Sequence, residues 1–219
     1  MITEAAYIEI WVAGDSMVRW AAHHALEVIK DVQLGLSEWG TRILWKGRSG
    51  AYLTESLPQL VQEIESANPK PDMLILHYGT NDLGSVPHHI MQQSLKHNVQ
   101  ALQEMLPDLV ILWSNIIPCQ FYLVAWLTAK LDKARKKVNR FTEKLLTGPT
   151  GGTIHHYIPY NKSKYFFPGD EVHLSQHGNS LLVGDYPGMD GGVAVGRRNC
   201  TNGHLAAALR MAEYSQIAH

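Results

Sequence analysis

A chain of 219 residues with 45% hydrophobic and 18% charged side chains carries enough apolar material for a folded core, which excludes a disordered chain. Its formal net charge of −1 gives no global attraction to nucleic acid or to an anionic membrane. The longest apolar run, Phe121 to Leu127, is too short to span a bilayer, Met1 to Ala13 lacks the basic start of a signal peptide, and two cysteines, Cys119 and Cys200, make no disulfide framework, so a reduced, cytoplasmic setting is the simplest expectation.

Tyr7 to Ala13 (YIEIWVA) reads as a buried strand closed by Gly14. From Met17 to Lys30 apolar residues recur at helical spacing: Val18, Ala21, Ala22, Ala25, Val28 and Ile29. Arg42 to Trp45 is a short strand, followed by the loop Lys46 to Gly50. Leu53 to Ser66 is helical, with Leu57, Leu60, Val61 and Ile64 on one face. Asp72 to Tyr78 (DMLILHY) is a continuous apolar strand, the pattern of a sheet covered on both faces, and Gly79 ends it. A helix over Pro87 to Met105, a strand over Leu109 to Ser114 and a long helix over Gln120 to Leu146 follow. Thr153 to Ile158 reads as a fifth strand and Leu174 to Val183 as a last short helix.

This alternation predicts an α/β fold, a three-layer α/β/α sandwich around a parallel sheet. One domain is expected over residues 1–183. Residues 184–219 form a Gly-rich tail, with a possible short amphipathic helix over His204 to Ile217.

Three segments carry reactive groups: Gly14-Asp15-Ser16, Gly79-Thr80-Asn81-Asp82 and Asp170-Glu171-Val172-His173. In parallel sheets the reactive groups sit at the carboxyl ends of strands, and the first two segments lie at such ends. Ser16 offers a hydroxyl nucleophile at a strand-to-helix turn, where helix N-termini favour negative charge. His173 is the candidate base, because an imidazole titrates near working pH. Asp170, three residues earlier, is placed to orient the imidazole. Asn81 supplies an uncharged N–H for a developing oxyanion, and Gly50 a second backbone N–H with no side chain in the way. Gly47 competes with Gly50 for that role. Asp82 reads as structural, bonding the Ser16 turn.

On these four blocks, in this order, the chain resembles the SGNH hydrolases, or G-D-S-L esterase/lipase superfamily, over roughly residues 7–183. The resemblance implies a flavodoxin-like sheet of five parallel strands and a triad of Ser16, His173 and Asp170. It implies an oxyanion hole made of the Ser16 N–H, the Gly50 N–H and the Asn81 side chain. The partner it implies is a small-molecule acyl ester, with no metal and no organic cofactor. The wording around the blocks (IWVAGDSMVRW, LILHYGTNDLG, DEVHLSQHGN) is also similar to SGNH domains of vertebrate genomes associated with retroelements. Met17 stands where leucine or isoleucine is usual in that family, and the Gly-rich tail stands where a long closing helix is expected.

Other features carry alternatives. The adjacent pairs among the twelve histidines point apart and make poor chelators, and His77 reads as a packed core histidine. Phe121 to Leu127 is core or the lining of an acyl pocket. Lys130 to Arg140 holds six basic residues, a solvated face or a surface for phosphate or nucleic acid. The alternative function is therefore a catalytically weak or inactive SGNH domain, retroelement-derived, that binds nucleic acid or protein.

Overall fold

The computed structural model describes residues 7–118, 125–156 and 173–186. Asp170, both cysteines and residues 187–219 of the tail lie outside the described residues.

Five strands form one sheet: β1 (Ile8–Gly14), β2 (Thr41–Gly47), β3 (Met73–His77), β4 (Val110–Ser114) and β5 (Gly151–Ile154). Their order is β2-β1-β3-β4-β5, and every neighbouring pair is parallel. This is the flavodoxin-like, doubly wound order, whose direction of winding reverses between β1 and β3. Successive residues of a strand face opposite sides. Trp11 and Ala13 therefore enter one core, while Ile10 and Val12 enter the other.

The first core is closed by α2 (Leu53–Ser66), α3 (His88–Met105) and α4 (Ala125–Leu145), through Leu57, Ile64, Leu95, Leu102 and Val138. The second is closed by α1 (Ser16–His24) and α5 (Gln176–Gly184), through Met17, Val18, Ala21, Leu182 and Val183. These are the three layers expected from the alternation of elements, with an apolar layer buried on each side of the sheet.

Two boundaries differ from the sequence reading. The helix that opens at Ser16 leaves α-helical geometry at Ala25 and runs as a π-helix to Ile29. The wider turn rotates the following residues off the buried stripe, so Val28 and Ile29 are exposed rather than core. β5 begins at Gly151, earlier than the expected Thr153, because two glycines hide a strand from side-chain propensity. Backbone pairing with Ile111 and Leu112 defines it instead.

Candidate active site

Ser16 stands where β1 turns into α1, beside the divide between β1 and β3. In doubly wound sheets that crevice is where ligands bind. Asp15 caps the helix: its Oδ1 accepts the Met17 N–H at 2.9 Å. Its own N–H donates to the His77 carbonyl at 3.2 Å, which fixes the turn to the end of β3. As the first residue of α1, Ser16 has a backbone N–H with no acceptor inside the helix, at the positive end of the helix dipole. The residue is 8% exposed. Burial pushes the Asp15 carboxyl up to about 6; the Met17 N–H and Thr80 pull it back, and the nearby charge of Asp82 pushes it further.

The loop after β2 is tied to the same turn. The Arg48 N–H donates to the Gly14 carbonyl at 2.9 Å, and Arg19 Nη1 donates to Ser49 Oγ at 2.8 Å. Gly50 follows with φ +71°, a left-handed conformation that favours glycine. A side chain there would meet nothing within 4 Å, so the positive φ, and not a close approach, is what calls for glycine. Gly47 does the opposite: a Cβ on it would lie 2.2 Å from the Arg19 nitrogen, so it lets β2 pack against α1.

The segment after β3 reaches the same loop. Asn81 Nδ2 donates to the Ala51 carbonyl at 3.0 Å, and the primary amide keeps a second N–H for other use. Asp82 is fully buried and does not bond the Ser16 turn as expected. Its Oδ2 accepts the Leu53 N–H at 2.7 Å, and its Oδ1 accepts the Thr54 N–H at 3.4 Å and hydroxyl at 3.3 Å. The first turn of α2 has unbonded N–H groups, and a carboxylate satisfies them from the far side of the loop.

His173 stands just before α5, whose N-cap Ser175 accepts the Gly178 N–H at 3.0 Å. The His173 ring meets the Trp20 ring edge-on, centroids 5.9 Å apart. Trp20 is one helical turn after Ser16 on α1. The two helices also bond directly, His24 Nε2 to Ser180 Oγ at 2.9 Å. α1 is therefore a hub: Arg19 meets the Gly50 loop, Asp15 meets the end of β3 and Trp20 meets His173. Asp170 lies outside the described residues, and its position relative to His173 is not part of this geometry.

No protein-family model matches the chain, and no curated protein is significantly similar to it in sequence. Solved structures do match. A lipolytic protein of the G-D-S-L family from Veillonella parvula superposes with a TM-score of 0.58 at 17% identity, covering 81% of this chain and 94% of its own. A carbohydrate esterase of family 3 from Talaromyces cellulolyticus gives 0.60 at 15% identity, covering 81% and 93%. A GDSL-like lipase from Bacteroides thetaiotaomicron gives 0.57 at 12% identity, covering 80% and 85%. The fold is that of the G-D-S-L, or SGNH, esterases.

Within this SGNH fold lies a polar chain that sequence reasoning missed. His77 Nδ1 is 2.7 Å from Ser114 Oγ, Ser114 Oγ is 2.7 Å from His156 Nε2, and His156 Nδ1 is 2.9 Å from Asp185 Oδ2. It crosses the carboxyl ends of β3, β4 and β5 on the side covered by α1 and α5. Ser114 Oγ stands between the two imidazoles, within hydrogen-bond reach of His77 Nδ1 and His156 Nε2, and His156 Nδ1 faces the Asp185 carboxylate. Burial holds His77 down at about 3, so it stays neutral. His155, by contrast, points outward to Asn115 and Glu143, as adjacent residues must. Among the described residues, no group of three or more His, Cys, Asp and Glu is placed to hold a metal ion, and no helix is long and apolar enough to cross a membrane.

Proposed function

We propose that this protein is an SGNH-type hydrolase of carboxylic (acyl) esters. The observation that carries the reading is the convergence on the first turns of α1: the Gly50 loop, the end of β3 and His173 all contact the helix that begins at Ser16. Ser16 attacks the ester carbonyl while His173 takes its proton, and Asp170 orients the imidazole. The Ser16 N–H, the Gly50 N–H and the Asn81 amide stabilise the tetrahedral oxyanion. His173 then protonates the leaving alcohol, and water hydrolyses the acyl-Ser16 intermediate. Residues 1–183 form the catalytic unit, in a reduced, cytoplasmic setting. Short acyl esters, acetylated sugars and lipid esters are the substrate classes to screen. A fluorophosphonate probe labels the wild type and leaves Ser16→Ala unlabelled; labelling that survives this substitution removes Ser16 from the role.

One observation favours a second reading, a binding module for nucleic acid. Lys133, Lys136, Lys137 and Arg140 line one side of a groove of about 260 Å³ on α4. Asp132 neutralises part of this face through Arg135 and Lys136. On this reading well-folded protein turns over no ester on a broad panel and binds DNA with a steep salt dependence, which is lost when Lys133, Lys136, Lys137 and Arg140 are changed to Gln. Binding that is unchanged by those substitutions rules the face out.

A further inference from the structure

We infer that Trp20 is the recognition surface of the active site, and that it selects esters carrying a flat, apolar group next to the scissile bond. The inference rests on the reading of Ser16 as nucleophile and His173 as base. Trp20 stands four residues after Ser16 on α1, so both side chains share one helix face. A helical side chain leans over the turn that precedes it, which puts the indole over the Ser16 turn. The indole packs against two imidazoles, with ring centroids 5.9 Å from His173 and 5.7 Å from His23. The rest stays in water: Trp20 is 45% exposed, while Trp11 and Trp113 are buried in the core.

An indole fixed on one side and wet on the other gains free energy when an apolar surface covers it. Its neighbours make that surface part of the site. A group bonded to the carbonyl that Ser16 attacks lies within a few ångströms of Ser16, and the ring overhanging that turn is Trp20. Trp39 supplies an internal contrast. It is 69% exposed, yet it precedes β2, at the amino end of the sheet and away from the reactive edge. Exposure alone therefore does not single out Trp20; its place beside Ser16 and His173 does.

The test is steady-state kinetics on phenyl acetate and ethyl acetate, using wild type, Trp20→Ala, Trp20→Phe and Trp39→Ala. Trp20→Ala raises KM for the phenyl ester about tenfold and for the ethyl ester less than about twofold, with kcat nearly unchanged. Trp20→Phe restores most of the phenyl-ester affinity, and Trp39→Ala changes neither ester. A loss equal for both esters, or one confined to kcat, overturns the proposal and makes Trp20 a support for His173. A second arm does not need turnover. In Ser16→Ala protein, the Trp20 indole N–H resonance, assigned by its absence from Trp20→Phe, shifts on titration with phenyl acetate and not with ethyl acetate. If wild type hydrolyses no ester, the reading of Ser16 fails, and a silent indole in this titration overturns the recognition role by itself.

Discussion

The carboxyl edge of the sheet holds two serines in different surroundings, Ser114 inside a sealed polar chain and Ser16 at the start of α1. Around Ser114 a hydroxyl, two imidazoles and a carboxylate hydrogen bond in sequence at 2.7 to 2.9 Å, in the same acid–imidazole–hydroxyl order that activates serine nucleophiles. Yet Ser114 and His77 are 0% exposed, sealed under α1 and α5. No ester carbonyl reaches that hydroxyl, and β4 gives it no helix N-terminus to hold an oxyanion. Ser16 is only slightly more open, at 8%, but it begins a helix, and the Gly50 loop is tied to its turn. On the proposed function, access and donors aimed at developing charge, and not hydrogen-bond order alone, mark Ser16 as the nucleophile.

Exchanging the two serines tests this most severely. Ser16→Ala lowers kcat/KM by about 10⁴-fold or more, the size of effect expected for loss of a nucleophile. Ser114→Ala leaves kcat/KM within about threefold, since no bond to substrate is lost. The reverse pattern, measured on one ester with both proteins folded by circular dichroism, would make Ser114 the nucleophile and end the comparison. The donors come next. Asn81→Ala costs about 2.7–4 kcal/mol of barrier, read as a fall in kcat with KM nearly unchanged. An effect confined to KM would instead make Asn81 a ground-state contact.

The contrast also shows what a single sequence can reveal. Strands β1, β3 and β4 announce themselves by apolar runs, and α2 and α3 by their period, because burial of a face imprints a repeat on neighbouring residues. Ser16 and Asn81 stand out as candidates because each follows such a strand. His77 was legible as a core residue, but its partners were not. Ser114 lies 37 positions after His77, and His156 lies 42 after Ser114, and hydrogen bonds of that span leave no period. The same holds for Asp82, whose bond to Leu53 crosses 29 positions, and for the contact of Trp20 with His173. At Gly50 sequence shows only that a side chain is missing; the backbone adds a positive φ that also calls for glycine.

The buried assembly makes its own prediction, on stability rather than rate. Ser114→Ala strips a partner from both His77 Nδ1 and His156 Nε2. Leaving such groups unsatisfied costs about 1–3 kcal/mol, seen as a lower urea midpoint at unchanged m-value. Ser114→Thr keeps the hydroxyl and recovers part of the loss. A Ser114→Ala protein as stable as wild type would show that the chain contributes nothing to the fold.

The smallest effect expected is at Asp15, whose N–H bonds the His77 carbonyl. Its carboxyl is fully buried and is pushed up to about 6 from an ordinary 3.8. Below pH 3.8 the acid is neutral in both folded and unfolded chains, and the shift costs nothing. Between 3.8 and about 6 the unfolded chain ionises while the folded one holds its proton, so rising pH favours unfolding; above about 6 the loss is complete. The ceiling on that loss is about 3 kcal/mol. Asn in this position keeps an oxygen to cap the Met17 N–H, though as a weaker acceptor than a carboxylate. Asp15→Asn is therefore expected to stabilise the fold by about 1 kcal/mol at pH 8 and by nothing measurable at pH 4. Urea denaturation at the two pH values decides it: a gain that is the same at both would mean that Asp15 is not held above its ordinary range, and that its charge is already matched by the Met17 N–H and Thr80.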